Sequence, residues 1–211
     1  MKLILLGAPG SGKGTQAVVL AKNFKIRKIS LGDILREEVK KDSELGRKVK
    51  QYMEQGVLVP DEVVGAVIEE NIKDEGFVLD GYPRNLAQAE NLQKIFERKH
   101  IQITAVVYLD VTTETVVKRL SGRRICPQCG ANFHITNMPP KVEGVCDACG
   151  SKLIQRKDDN PEVIEKRIEV FEAESAPLKD YYQKEDNLLV VDANKDAQEV
   201  FMDISSLLKN G

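Results

Sequence analysis

A short β-type run at residues 2–6 leads directly into Gly7-Ala8-Pro9-Gly10-Ser11-Gly12-Lys13-Gly14-Thr15, and beyond Lys13 the apolar positions Ala17, Val18, Leu20, Ala21 and Phe24 recur at helical spacing. The order is strand, glycine-rich loop, helix. It constrains the fold strongly, because a helix that follows a strand so closely packs back on the sheet and returns the chain to a parallel neighbour. Further apolar runs end at residues 77–79, 105–109 and 188–191, separated by amphipathic helical stretches. Runs that do not alternate apolar with polar residues suit strands covered on both faces. The predicted class is α/β: three layers around a parallel sheet of about five strands.

Two stretches interrupt this alternation. Residues 30–59 read as two short helices, 33–41 and 44–55, closed by Gly56. Residues 122–158 hold all four cysteines together with Pro139-Pro140, the composition of a small inserted unit of turns and short strands. Either Asp159 or Asn160 then caps a long helix that has Pro161 at its first position. The expected core is therefore 1–29, 60–121 and 159–211, with 30–59 and 122–158 as insertions. At 211 residues the chain is long enough for one such core, and 42% apolar with 30% charged residues is an ordinary globular balance. A net charge of −2 excludes the broad basic surface of a non-specific nucleic-acid binder, so any polyanion site must be local. The N-terminal apolar run is too short for a signal peptide or a membrane span, and a cytoplasmic protein is expected.

In the context of strand and helix, the glycines at 10, 12 and 14 let backbone N–H groups converge on an anion, and the helix N-terminus and Lys13 add positive potential. The loop reads as a phosphate cradle. Asp80 stands at the C-terminal end of a buried strand, facing the mouth where sheets of this kind bind ligands, and is expected to organise a magnesium ion. Arginines 119, 123, 124, 156 and 167 gather in or beside the cysteine segment. Positioned cations there suit a transferring phosphoryl group, while Arg124 reads equally well as a solvated surface charge. Cys126, Cys129, Cys146 and Cys149 form two CxxC pairs with sixteen residues between them, each followed by a glycine. That spacing fits four thiolates around a zinc with no open position, and hence a structural metal. Of the two histidines, His100 is expected at an exposed helix end and His134 in a structural role, neither being placed for nucleophilic chemistry.

The string GAPGSGKGT, with Gly14 between Lys13 and Thr15, resembles the loop of nucleoside monophosphate kinases of the adenylate kinase type. So do Gly81-Tyr82-Pro83-Arg84, the stretch from Ser30 to Arg36, the stretch from Gly56 to Asp61, and Arg156-Lys157-Asp158-Asp159. The resemblance covers essentially the whole chain. It implies a P-loop NTPase-like sheet, an AMP-binding insertion at 30–59 and a zinc-bearing lid at 122–158. It further implies transfer of the γ-phosphoryl group of MgATP to AMP, giving two ADP, by a monomer with no nucleic-acid or membrane partner. Gly10, Ser11, Gly12, Lys13, Gly14 and Thr15 would wrap the ATP phosphates without a direct bond from Thr15 to magnesium. Arg119, Arg123, Asn132, Phe133 and Lys195 would complete the ATP site. Leu31, Arg36, Val57, Leu58, Val59, Gly81, Tyr82, Pro83, Arg84 and Gln88 would form the AMP site, joined by Arg156 and Arg167. The chemistry would fall to Lys13, Asp80, Arg84, Arg123, Arg156 and Arg167.

This chain departs from the family pattern with Tyr82 and Asn85 in place of Phe and Thr, and with Leu31 in place of Thr or Ser. Gln88 favours AMP; Leu31 leaves room for a relative with other nucleotide specificity, such as a GTP-using AMP kinase or a UMP/CMP kinase. A zinc-ribbon ATPase acting on nucleic acid is a rival of another class, and the acidic balance counts against it.

Overall fold

The computed structural model describes residues 1–41 and 43–210; Asp42 and Gly211, which fall in the expected 30–59 and 159–211 segments, lie outside the described residues. The strands are β1 (Lys2–Gly7), β2 (Arg27–Ser30), β3 (Phe77–Asp80), β4 (Ala105–Asp110), β5 (Arg123–Ile125), β6 (Asn132–His134) and β7 (Leu188–Asp192). Five of them form a parallel sheet in the order β2-β3-β1-β4-β7, while β5 and β6 pair as a separate antiparallel hairpin. Because β1 is flanked by β3 and β4, its C-terminal end opens at the point where the winding direction reverses, the crevice in which sheets of this class hold ligands.

Period-two alternation divides the strand side chains between two cores. Ile4, Leu6, Phe77, Leu79, Val106 and Tyr108 face one side with Ile29. There they meet α2 (Leu31–Lys40), α4 (Asp61–Asn71), α5 (Leu86–Arg98) and α8 (Leu178–Lys184) through Leu35, Ile68, Leu92 and Tyr182. Leu3, Leu5, Val78, Val107 and Leu109 face the other, against Ala17 and Leu20 of α1 (Lys13–Phe24) and Val200 and Ile204 of α9 (Ala197–Asn210). Both faces are dry, which is why the runs read as continuous apolar segments. The strand that sequence patterning does not locate is β2, Arg-Lys-Ile-Ser. As an edge strand it buries only Ile29 and Ser30, so it carries too little apolar signal to be read.

Two excursions leave the C-terminal edge of the sheet. In the first, α2 starts at Leu31, two residues before the expected Asp33, because Leu31 and Leu35 share a face and both enter the core. It is followed by α3 (Glu44–Gln55), capped by Ser43 Oγ accepting from Gly46 N and closed by Gly56 in the left-handed region. The second follows α6 (Thr113–Ser121) and contains the hairpin and the cysteines. Its two CxxC turns are built alike: Gly130 N donates to Cys126 O and Gly150 N to Cys146 O, with both glycines at φ 74. The conformation explains the glycine after each pair. The return helix α7 (Pro161–Val170) is capped by Asn160, whose Oδ1 accepts from Val163 N.

His134 is buried where the second excursion joins α6. Its Nδ1 accepts from the backbone N–H groups of Thr136 and Asn137, both at 3.1 Å, so the proton sits on Nε2, 3.2 Å from Lys118 O. The ring packs against Gly122, where a Cβ would overlap Nε2 and Cε1. Gly122→Ala should therefore displace the imidazole and cost about 1–3 kcal/mol by overpacking. Hydrogen exchange should show faster exchange at the Thr136 and Asn137 amides while the β1 amides stay protected; unchanged exchange at those two positions would contradict this account.

Candidate active site

The loop between β1 and α1 bends over the sheet's open edge. Gly12, at φ 102, is the N-cap of α1, and a Cβ there would meet nothing closer than Arg119 at 4.0 Å. Glycine is thus required for its backbone conformation and not for space. The helix begins with no side-chain cap and no acidic residue in its first turn, which leaves its first N–H groups and its dipole free for an anion. Lys13 folds back over the loop, its Nζ donating to Gly7 O at 2.5 Å and Ala8 O at 2.8 Å. Asp80 approaches from β3: its Oδ2 accepts from Ser30 Oγ at 3.3 Å and lies 3.6 Å from where a Cβ on Gly14 would be.

A cavity of about 620 Å³ runs from this loop to both excursions. Its lining carries nine cationic side chains, Lys13, Lys28, Arg36, Arg84, Arg119, Arg123, Arg156, Arg167 and Lys195, against four acidic ones, Asp33, Asp80, Asp158 and Asp196. An excess of five positive charges in a chain whose net charge is −2 is confined to one cavity, the local concentration that composition required of any polyanion site. Burial holds Lys13 down to about 8, and the charges of Arg84, Arg167 and Arg123 push the same way against Asp80. Burial likewise lowers Arg84, Arg156 and Arg167, and Arg156 Nε is buried without a hydrogen-bond partner among the described residues.

Ser11, Gly14, Thr15, Asn132, Phe133, Val57, Leu58, Val59, Gly81 and Pro83 also line the cavity. Arg119 ties the loop to the β7–α9 connection by donating to Ser11 O and Lys195 O, at 3.3 and 2.9 Å. Arg36 pairs with Asp33, whose carboxyl would rise on burial but is held well below the usual carboxylate range by hydrogen bonds from Lys28 and Arg36. Three expected residues stand behind the wall. Leu31 and Tyr82 belong to the apolar core, and Gln88 is 2% exposed with both ends of its amide bonded inside the protein. Arg124 turns away from the cavity and donates to Ser121 O and Arg123 O.

A sequence model of the family described as adenylate kinase matches residues 5–187. The chain belongs to the adenylate kinase family. It is 50% identical over 212 residues, 99% of this chain and 96% of the relative, to an adenylate kinase of Caldanaerobacter subterraneus subsp. tengcongensis. To the adenylate kinase of Clostridioides difficile it is 46% identical over 215 residues, the full length of both. The adenylate kinase of Caldicellulosiruptor bescii is 53% identical over 195 residues, 90% of each chain.

Within this member of the adenylate kinase family, the residue that sequence reasoning underrated is Asp159. Weighed as a helix cap, it is instead a fully buried carboxylate shared between Arg123, whose Nε donates at 2.8 Å, and Arg167, whose NH1 lies 3.3 Å away. Asp158 takes the same Arg167 nitrogen at 3.1 Å. The signal in the sequence was the run of two cations followed by two carboxylates in Arg156-Lys157-Asp158-Asp159.

The low pKa of Lys13 has a measurable consequence. At pH 8.5 the empty site holds this amine mostly neutral, and a bound polyphosphate restores the ammonium, so binding must take up protons. Calorimetry of tripolyphosphate binding in two buffers of different ionisation enthalpy should show uptake larger in the parent than in Lys13→Met by about half a proton or more. At pH 6.5, where Lys13 is already charged, that difference should vanish. Equal uptake by the two proteins at pH 8.5 would refute the assignment.

Proposed function

We propose that the chain is an ATP:AMP phosphotransferase, moving the γ-phosphoryl group of MgATP reversibly onto AMP to give two ADP. The observation that carries this reading is the excess of five cationic side chains in one cavity whose lining takes in Arg119 and Phe133 as well as Arg36 and Val57–Val59. Donor phosphates would lie on Gly10, Ser11, Gly12, Lys13, Gly14 and Thr15, with the donor base between Arg119, Asn132, Phe133 and Lys195. The acceptor phosphate would be held by Arg36 and Arg84, since a guanidinium matches phosphate oxygens bidentately. Arg123, Arg156 and Arg167 would meet the charge that spreads over the equatorial oxygens during transfer.

No general base is required, because the acceptor phosphate is ionised at neutral pH. The histidines agree with that: His100 is exposed just past the end of α5, and His134 is committed to backbone contacts. Catalysis would then rest on positioning and on charges fixed before substrate arrives. Asp159 contributes by holding Arg123 and Arg167 in place. The core would comprise 1–29, 60–121 and 159–211, with 30–59 as the acceptor-binding insertion and 122–158 as a lid. Closure of both would exclude the water that competes for the phosphoryl group. The enzyme would work on free nucleotides as a cytoplasmic monomer. Among the described residues no helix is long and apolar enough to cross a membrane.

A magnesium ion carried by the donor phosphates suits the single carboxylate Asp80 with hydroxyl groups nearby, since magnesium is ordinarily held by one or two carboxylates plus phosphate oxygens and water. Bound there, it would neutralise the phosphate charge. For zinc, tetrahedral thiolates at a Zn–S distance of about 2.3 Å place sulfurs roughly 3.8 Å apart. The four sulfurs lie within 4.8 Å of one another, with Cys126 and Cys149 3.4 Å apart and Cys129 and Cys146 3.5 Å apart. The set fits. Its apolar surroundings amount to Leu153 with Ala131 and Phe133, so a metal would stabilise a segment that has little core of its own.

A coupled assay of ADP formation tests the activity. ATP with AMP should react at least about tenfold more efficiently than ATP with GMP, CMP or UMP, as one mismatched polar contact would give. Lys13→Ala should lose roughly 10²–10³-fold in kcat with the fold intact. UMP or CMP as best acceptor, or turnover of Lys13→Ala within threefold of the parent, would overturn the reading. For the metal, Cys126→Ser with Cys146→Ser should abolish zinc binding and lower Tm, while activity at 25 °C largely survives. Loss of activity with the segment still folded would instead give zinc a chemical role.

A further inference from the structure

A glutamine reads a base only if its amide is held one way round. Its two ends are nearly isosteric, and rotating the amide by half a turn exchanges a donor for an acceptor. An amide presenting its oxygen to an exocyclic N–H₂ and its nitrogen to a bare ring nitrogen matches adenine. The rotated amide matches a 6-oxo purine, whose edge offers a carbonyl and a ring N–H. Discrimination between the two bases therefore depends on whatever fixes the rotation.

In this chain the protein itself supplies the fixing groups. Gln88 lies in the first turn of α5, and its neighbours Pro83 and Arg84 line the cavity. Its Oε1 accepts from the backbone N–H of Arg84 at 2.7 Å, and its Nε2 donates to Asp61 Oδ1 at 2.7 Å. Arg84 N can only donate, and a carboxylate can only accept. Rotation of the amide would set oxygen against oxygen at one end and N–H against N–H at the other. One N–H on Nε2 and one lone pair on Oε1 remain unspent, the two groups a base edge needs. Asp61 is itself placed by Asn85, the N-cap of α5, whose Nδ2 lies 3.3 Å from both carboxylate oxygens while its Oδ1 accepts from Gln88 N. Asp61 opens α4 immediately after the Val57–Val59 strip of the cavity wall, so the fixing carboxylate arrives on the chain that returns from the acceptor insertion.

We propose that Asp61 is a positioning residue for acceptor specificity: its carboxylate, set by Asn85, locks the Gln88 amide in the sense that accepts a 6-amino purine and rejects a 6-oxo purine. This rests on the reading that Gln88 meets the acceptor base. A base reaching Gln88 passes the wall formed by Gly81, Pro83 and Arg84, and it finds the amide already oriented.

The test compares AMP with inosine monophosphate as acceptors, with ATP as donor, in the parent, Asp61→Asn and Gln88→Leu. The Asn side chain keeps the shape of Asp61 but can turn either a carbonyl or an N–H₂ toward Gln88, releasing one end of the lock. Asp61→Asn should lower the AMP-to-IMP ratio of kcat/KM at least about fivefold, with kcat/KM for IMP rising in absolute terms and KM for ATP unchanged. A merely structural carboxylate would lose AMP and IMP in parallel, and that result overturns the proposal. If Gln88→Leu collapses the ratio while Asp61→Asn keeps it, this inference fails and the base-reading role of Gln88 stands. If Gln88→Leu leaves the ratio unchanged, the base-reading role fails and takes this inference with it. Side-chain amide NMR of the nucleotide-free protein supplies a second readout that requires no activity. The Gln88 N–H₂ protons should exchange slowly in the parent and faster in Asp61→Asn, and equal rates would count against the lock.

Discussion

Like charges brought into one crevice repel, and the arrangement of this molecule is organised around holding several cations close together before any polyanion arrives. At an effective dielectric of about 20, two unit charges 4 Å apart repel by roughly 4 kcal/mol, so the cluster needs support from the fold. The support takes two forms. The sheet, packed dry on both faces, supplies a platform that does not yield. Buried or half-buried carboxylates, Asp159 between Arg123 and Arg167 and Asp33 between Lys28 and Arg36, hold the guanidinium and ammonium groups in place without neutralising the cavity as a whole. What remains is a deficit of negative charge that a nucleotide's phosphates can fill.

The same logic separates what the sequence disclosed from what it concealed. Strands β1, β3 and β4 were legible because burial on both faces makes their residues apolar almost throughout, β7 because Leu188 to Val191 are apolar although only Val191 is buried, and the loop from Gly7 to Thr15 because few other functions require Lys13 amid so many glycines. The cysteine pairs declared themselves by spacing. Concealed were features that depend on partners distant in the chain. β2 carries Arg27 and Lys28 at an edge, and only its register against β3 identifies it as a strand. Asp159 resembles a cap until the fold brings Arg123 to it from 36 residues away. Leu31 reads as a site residue because it stands in a site motif, yet α2 begins with it and turns it into the core. Gln88 is marked by motif, but its bond to Asp61, 27 positions earlier, has no signature in sequence.

Stability is distributed unevenly over this plan. Strand and helix residues of the two main cores are almost all inaccessible, whereas the hydrophobic cluster of the cysteine segment is Cys126, Cys146 and Leu153 with Ala131 and Phe133 against them. Regions with few buried apolar contacts open at lower free energy than the elements that carry the global fold. The cysteine segment is thus held less firmly than the sheet and its helices, and it carries Arg123 and Arg156 of the cationic cavity.

One contact between the two excursions gives this a physical scale. Lys157, near the end of the second, lies 3.2 Å from Glu54 near the end of α3, and their side chains are 80% and 42% exposed. A pair so open to water contributes about 1 kcal/mol at most and is screened by salt over roughly a Debye length. It ties the two excursions together too weakly to set their spacing against thermal agitation, and the ionic strength of the surroundings becomes a modest control on that spacing.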